Sequence, residues 1–232
     1  VRAAWRIEGF SAIRHWPFAA RRTMTTTYNR IAGQNLHRLA SLSDGVFAFA
    51  MTLLVLDLRP PAISSIHSER DLWNALIEIA PRLVPYLMSF LTLGIFWVGQ
   101  QTHHDRLARS DRSYAWLQLM FLMVVTLVPF STALLASFIA YRTALLVYWL
   151  NIFLLGTTLL AASWRARDSG LLKPDAPAEV ERAILRRIYI GQALYAFGAA
   201  LCVFSTYWSI GFIVAVQLNY AIAPRFKPLN WL

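Results

Sequence analysis

The chain has 232 residues, of which 57% are apolar and only 15% charged, and its formal net charge is +10. So little charge over such a length excludes an ordinary soluble domain and points to an integral membrane protein. The basic residues fall in the gaps between apolar runs and form no single face, which argues against nucleic acid as a partner.

The first 23 residues hold five Arg, one acid and no long apolar core, so they do not read as a secretory signal peptide. Met24, followed by Thr25, Thr26 and Thr27, reads as a start site, with 1–22 as an upstream extension. Residues 1–35 are read as a basic cytoplasmic segment, 36–224 as one membrane domain and 225–232 as a cytoplasmic tail. Within the domain, apolar runs predict six helices at 44–58, 83–99, 114–138, 144–164, 188–204 and 209–223. The first is short for a bilayer and is expected to extend N-terminally through Ser43 and Asp44. The last two are expected to be joined by a tight turn at 205–209. The segment 168–181, with Gly170, Pro174 and Pro177, is the one convincing internal break. Cys202 lies alone in an apolar run, which excludes an intrachain disulfide and reads as a small buried apolar side chain.

Eighteen of the 22 basic residues lie before the first run, between runs two and three, between runs four and five, or after the last. The other side has only Arg59, Arg70, Arg82 and Arg142. The positive-inside rule therefore puts both termini in the cytoplasm, as an even number of spans requires.

The polar chemistry concentrates at the start of the first helix. With Phe49 at zero on a regular helix, Leu53 falls at about 40°, Leu56 at about −20° and Thr52 at about −60°. Asp44 falls at about −140°, nearly opposite. One face thus meets something apolar while the other anchors polar partners inside the subunit. Periodicity alone reads the stripe as a lipid-facing or packing surface. Asp44, with Ser43, reads equally as a helix N-cap. Arg38 is about 120° round from Asp44, so each is expected to find partners on other helices.

The run Arg38-x-x-x-Leu42-Ser43-Asp44-Gly45-Val46-Phe47-Ala48 resembles the Arg-x-x-x-Phe-Ser-Asp signature of the transmembrane protein 175 potassium channels, which are lysosomal in animals and have shorter six-helix relatives in prokaryotes. The likeness continues through Thr52 to Leu56, Gly94 to Trp97, Leu127 to Leu135 and Asn151, so it covers about 35–160. It implies an all-α integral membrane fold with six transmembrane helices per subunit, in a homotetramer around a central pore lined by helix 1. It further implies a pore constriction at Phe49, Leu53 and Leu56, with Thr52 setting ion preference. Arg38, Ser43, Asp44, Trp97, Gln100, Gln101 and Asn151 would form a structural polar network. The implied activity is a leak-type cation channel of modest potassium selectivity, with potassium as permeant ion, no cofactor, no metal, and a bacterial plasma membrane and its lipids as surroundings. Leu42 replaces the signature Phe, Phe49 replaces the usual Ile or Leu, and Gln100 and Gln101 stand where many relatives have a His pair.

The remaining constellations are weaker. His103-His104-Asp105 suggests a metal, but adjacent histidines diverge on a helix and a solvated loop explains them as well. Glu179, Glu181, Arg182 and Arg186 read as solvated pairs leading into helix 5. Asn151 needs an interhelical partner, and Pro129 is expected to kink helix 3, relieved by Ser131 or Thr132. A secondary transporter is the alternative reading, with Asn151, Gln192, Gln217 and Asn219 as thin material for a substrate site. No motif supports catalysis, so an enzyme is not expected.

Overall fold

The computed structural model describes residues 35–175 and 177–222. The Met24 start, the basic residues up to Arg30, the tail with Arg225 and Lys227, and Ala223 lie outside them. Helix α1 spans Leu36–Leu53 and runs on into a 3-10 segment, Leu54–Asp57. A short 3-10 turn, Ile63–Ser65, leads to α2, Glu69–His104. Then come α3, Arg112–Thr126, α4, Val128–Ser137, and α5, Arg142–Asp168. Helix α6, Ala178–Ala200, passes through a 3-10 turn, Leu201–Val203, to α7, Thr206–Ile222. With α3 and α4 as two halves of one rod, these are six helical rods. Four of them, at Leu36–Asp57, Glu69–His104, Arg112–Ser137 and Arg142–Asp168, are long and apolar enough to cross a membrane.

The predicted runs were right in number but began too late, each helix starting N-terminal to its run, while runs one, three and five ended one residue or more past their helices. Asn35 caps α1, its side chain accepting from the Arg38 N–H, so Asp44 sits mid-helix and is no N-cap. Helix α2 has 36 residues, about 54 Å, against a hydrocarbon core of about 30 Å. It starts at Glu69 because Ser68 accepts from the Asp71 N–H and two acids occupy the positive end of the first turn. Pro81 and Pro85 each remove one donor without ending it. The expected turn at 205–209 shrinks to Phe204 and Ser205, since Thr206 already belongs to α7.

Helix 3 does break at Pro129, but the expected relief is different. The Leu127 N–H turns back to the Val124 carbonyl at 3.1 Å, while the Ser131 and Thr132 hydroxyls both reach the Val128 carbonyl. In lipid there is little hydrophobic drive between helices, so close packing and interhelical hydrogen bonds hold the rods together. Helix α1 packs on α2 and α3, α3 on α5, α4 on α2 and α5, and α6 on α5 and α7. Phe47, Phe96 and Phe121 meet where α1, α2 and α3 converge, with ring centroids 6.0 and 6.3 Å apart. Ser209 donates to the Gly198 carbonyl across the α6–α7 contact at 2.5 Å. A side chain at 198 would meet Phe212 and Ile213 at 2.9 and 3.0 Å.

The ends of α2 and α5 are tied together. Helix α5 stops at Gly170, φ +59, with the Leu171 N–H on the Ala166 carbonyl and the Gly170 N–H on Arg167. Leu171 then accepts from the Ala108 N–H at 2.9 Å, joining the α2–α3 and α5–α6 loops. Asp111 caps α3 through the Tyr114 N–H and pairs with Arg165 of α5. Burial alone would push the Asp111 carboxyl up, but the hydrogen bonds from Arg165 and Tyr114 more than reverse it and hold it below the ordinary 3.8. A depressed carboxyl stabilises the fold fully above its ordinary value and progressively less as pH falls toward the folded value. Between about pH 5 and 3 the melting temperature of the wild type should therefore fall more steeply than that of Asp111→Asn. Parallel melting curves would refute this.

Candidate functional site

Helix α1 divides cleanly. Ser43, Phe47, Ala50 and Leu54 are buried and face the bundle, while Phe49 is 65% and Leu56 68% exposed. Leu53 is half-buried and Thr52 exposed, so the stripe of Phe49, Thr52, Leu53 and Leu56 lies on the outer side of the packed subunit. The 3-10 segment alters the expected register. Its 120° step sets Leu56 directly beyond Leu53 rather than about 60° round from it. The two steps, Phe49 to Leu53 in α-helix and Leu53 to Leu56 in 3-10 helix, each advance about 6 Å. The Thr52 hydroxyl donates to the Phe49 carbonyl at 2.8 Å. Its proton is thus committed to backbone and its oxygen lone pairs remain available.

On the inner side, Ser43 is the hub. Its hydroxyl donates to the Leu39 carbonyl at 2.9 Å and accepts from Gln100 Nε2 at 3.0 Å, with Gln118 Nε2 at 3.5 Å. One donor and two acceptor positions are then all in use. Asp44 is exposed on the flank and accepts from Trp97 Nε1 at 2.9 Å. A cavity of about 280 Å³ opens between α1 and α2 beside these groups, with Gln101 and His104 on its wall.

Two of the other expected members lie apart. Arg38 is exposed and makes no ion pair with Asp44 among the described residues. Asn151 is buried in α5 with its side-chain carbonyl unpartnered, away from the α1–α2 contact. His103 is not in a solvated loop, as expected. It is buried in the last turn of α2, its ring 5.9 Å from that of Tyr114. Among the described residues no group of three or more His, Cys, Asp or Glu could hold a metal. Glu181 reaches Arg167 across the α5–α6 turn at 3.9 Å.

A second polar cluster was not anticipated. Thr132 lies 2.6 Å from Ser89, Ser89 3.4 Å and Thr92 3.2 Å from the Tyr148 hydroxyl, and Gln217 donates to Thr92 at 2.7 Å. All five side chains are buried, and they link α2, α4, α5 and α7. The signal was the i, i+3 spacing of Ser89 and Thr92, which puts two hydroxyls on one face of an apolar helix.

Fold and site together define a multi-span helical membrane protein whose first helix keeps one face free and anchors the other through a Ser-Asp pair. Residues 38–129 match the family described as "Endosomal/lysosomal potassium channel TMEM175". A potassium channel of Streptomyces collinus is 36% identical over 163 residues, covering 68% of this chain and 78% of that one. A potassium channel of Chamaesiphon minutus is 32% identical over 190 residues, covering 80% and 93%. The crystal structure of a lysosomal potassium-selective channel TMEM175 homolog from Chamaesiphon minutus superposes with a TM-score of 0.72 at 27% identity, over 82% of this chain and 98% of that one. The chain belongs to the TMEM175 family.

Proposed function

We propose that four copies of this chain form a leak-type, potassium-preferring cation channel in the bacterial plasma membrane, with α1 of each lining one central pore. Residues 36–224 make the channel domain, both termini face the cytoplasm, and lipid surrounds the outer rods. The observation that carries this reading is the exposed stripe of Phe49, Thr52, Leu53 and Leu56 on a helix whose other face is pinned by Ser43 and Asp44. The Streptomyces and Chamaesiphon relatives are named potassium channels, which supports the choice of ion.

Rings of Phe49, Leu53 and Leu56 supply no oxygen ligands, so an ion must narrow or shed its water shell to pass. Potassium releases water more readily than sodium, which gives a modest preference without a carbonyl cage. The Thr52 lone pairs, just beyond the tightest ring, lower the dehydration cost. No cofactor enters this mechanism, and potassium is its only small-molecule participant.

The test is flux through purified chain in liposomes under matched potassium, sodium and proton gradients. Passive flux that prefers potassium is expected. Saturable flux driven by a second ion's gradient would instead make the protein a transporter.

A further inference from the structure

A cavity of about 170 Å³ lies between α2, α5, α6 and α7, and its mouth residues Arg187 and Tyr220 also border a second space that Asp44 lines. Its walls are mostly apolar, with Ile95, Leu159 and Ile188 among them, yet it collects polar atoms that have no partner. The two His103 ring nitrogens, the Tyr195 and Tyr220 hydroxyls and the Gln192 side-chain carbonyl are all buried and unbonded. His103 and Tyr195 are only 2% and 4% exposed. Each such orphan costs about 1–3 kcal/mol, and the donors among them, the tyrosine hydroxyls and one His103 N–H, point to a ligand that supplies an acceptor.

The geometry suggests what that ligand is. Gly156 keeps room for Gln192, since a Cβ there would sit 1.6 Å from Gln192 Nε2. A dry cavity of about 150 Å³ is enough to admit benzene, so this one takes a single ring with a small head. At its mouth Arg187 stacks on the Tyr220 ring, 4.9 Å from the centroid, and has no carboxylate partner among the described residues. Arg187 and the two tyrosine hydroxyls are donors, and they favour an anionic acceptor. We propose that this cavity binds a ring-sized carboxylate, the ring among the aliphatic walls and the carboxylate on Arg187 with a tyrosine hydroxyl. The site is distinct from the exposed stripe of α1, and binding there does not depend on whether the protein conducts.

Benzoate and its neutral isostere benzamide are the probes, titrated calorimetrically into the purified full-length protein. Benzoate should bind saturably and benzamide about tenfold more weakly, as the loss of one charge-assisted contact predicts. Arg187→Gln should remove the difference. Gly99→Leu should abolish both, because a Cβ at this wall position meets nothing within 4 Å and the side chain fills the space. Should that variant fail to fold, Tyr220→Phe serves, since it deletes a hydroxyl that has no hydrogen-bond partner and keeps the ring under Arg187. It should weaken benzoate while leaving the melting temperature unlowered. Non-saturable uptake, equal affinity for the two probes, or binding untouched by these variants would overturn the proposal and leave the cavity to water.

Discussion

Phe49→Ala should raise potassium flux by about tenfold or more and reduce the preference for potassium over sodium. In the proposed tetramer four phenyl rings would meet on the axis and exclude water, and truncating them to methyl groups would open a space that stays wet. A tenfold gain needs only about 1.4 kcal/mol off the barrier, a small part of the cost of stripping an ion. The fold should hardly notice, because Phe49 is exposed on the packed subunit. Phe47, two positions away and 1% exposed, is the control. Phe47→Ala empties the contact with Phe121 and should cost about 3–5 kcal/mol of stability. Flux unchanged by Phe49→Ala in an intact assembly would move the gate off this ring. Flux altered equally by Phe47→Ala would mean that a general loosening, not the ring, is being read.

The number of helical rods was legible because each apolar run is long enough to count on its own. Their ends were not, because lipid-exposed helices tolerate what usually ends soluble ones. Pro81 and Arg82 bound the apolar run at 83, yet α2 begins at Glu69, where the signal was the Ser68 cap and the acids after it. His103 and His104, polar in sequence, were assigned to a loop, whereas their rings pack on Tyr114 and carry the helix one turn further.

The face of α1 was readable only in part. Regular-helix arithmetic put Asp44 nearly opposite Phe49, but the buried residues Ser43, Phe47, Ala50 and Leu54 centre about 130° from Phe49 on the other rotation. Asp44 therefore lies on the flank of the contact, where Trp97 reaches it, and Ser43 takes the centre. Gln118 could not be found from α1 at all, since which residue of α3 meets Ser43 depends on how the two rods cross. The hydroxyl cluster around Tyr148 was hidden for the same reason. Ser89, Thr132 and Gln217 are far apart in the chain, and nothing local to any of them names the others.

That placement reverses an ordering that the sequence alone suggests for two neighbouring residues. Asp44, the ionisable member, looks like the costlier one to lose. In the structure Asp44→Ala frees only the Trp97 N–H, which is half-buried beside a cavity where water can replace the carboxylate. Ser43→Ala removes the acceptor of the Gln100 amide and of the longer bond from Gln118, two side chains only 2% and 1% exposed. The expected loss is about 2–3 kcal/mol for Ser43→Ala and about 1 kcal/mol for Asp44→Ala. Adding Gln100→Leu to Ser43→Ala should return part of the loss, because replacing both partners by apolar groups removes the orphan along with the bond. Thermal melting of the four proteins, with assembly followed by size, measures this directly. Asp44→Ala melting well below Ser43→Ala would refute the ordering. A fully assembled Ser43→Ala or Asp44→Ala protein with altered ion preference would place these residues in the conduction path and not in the anchor behind it.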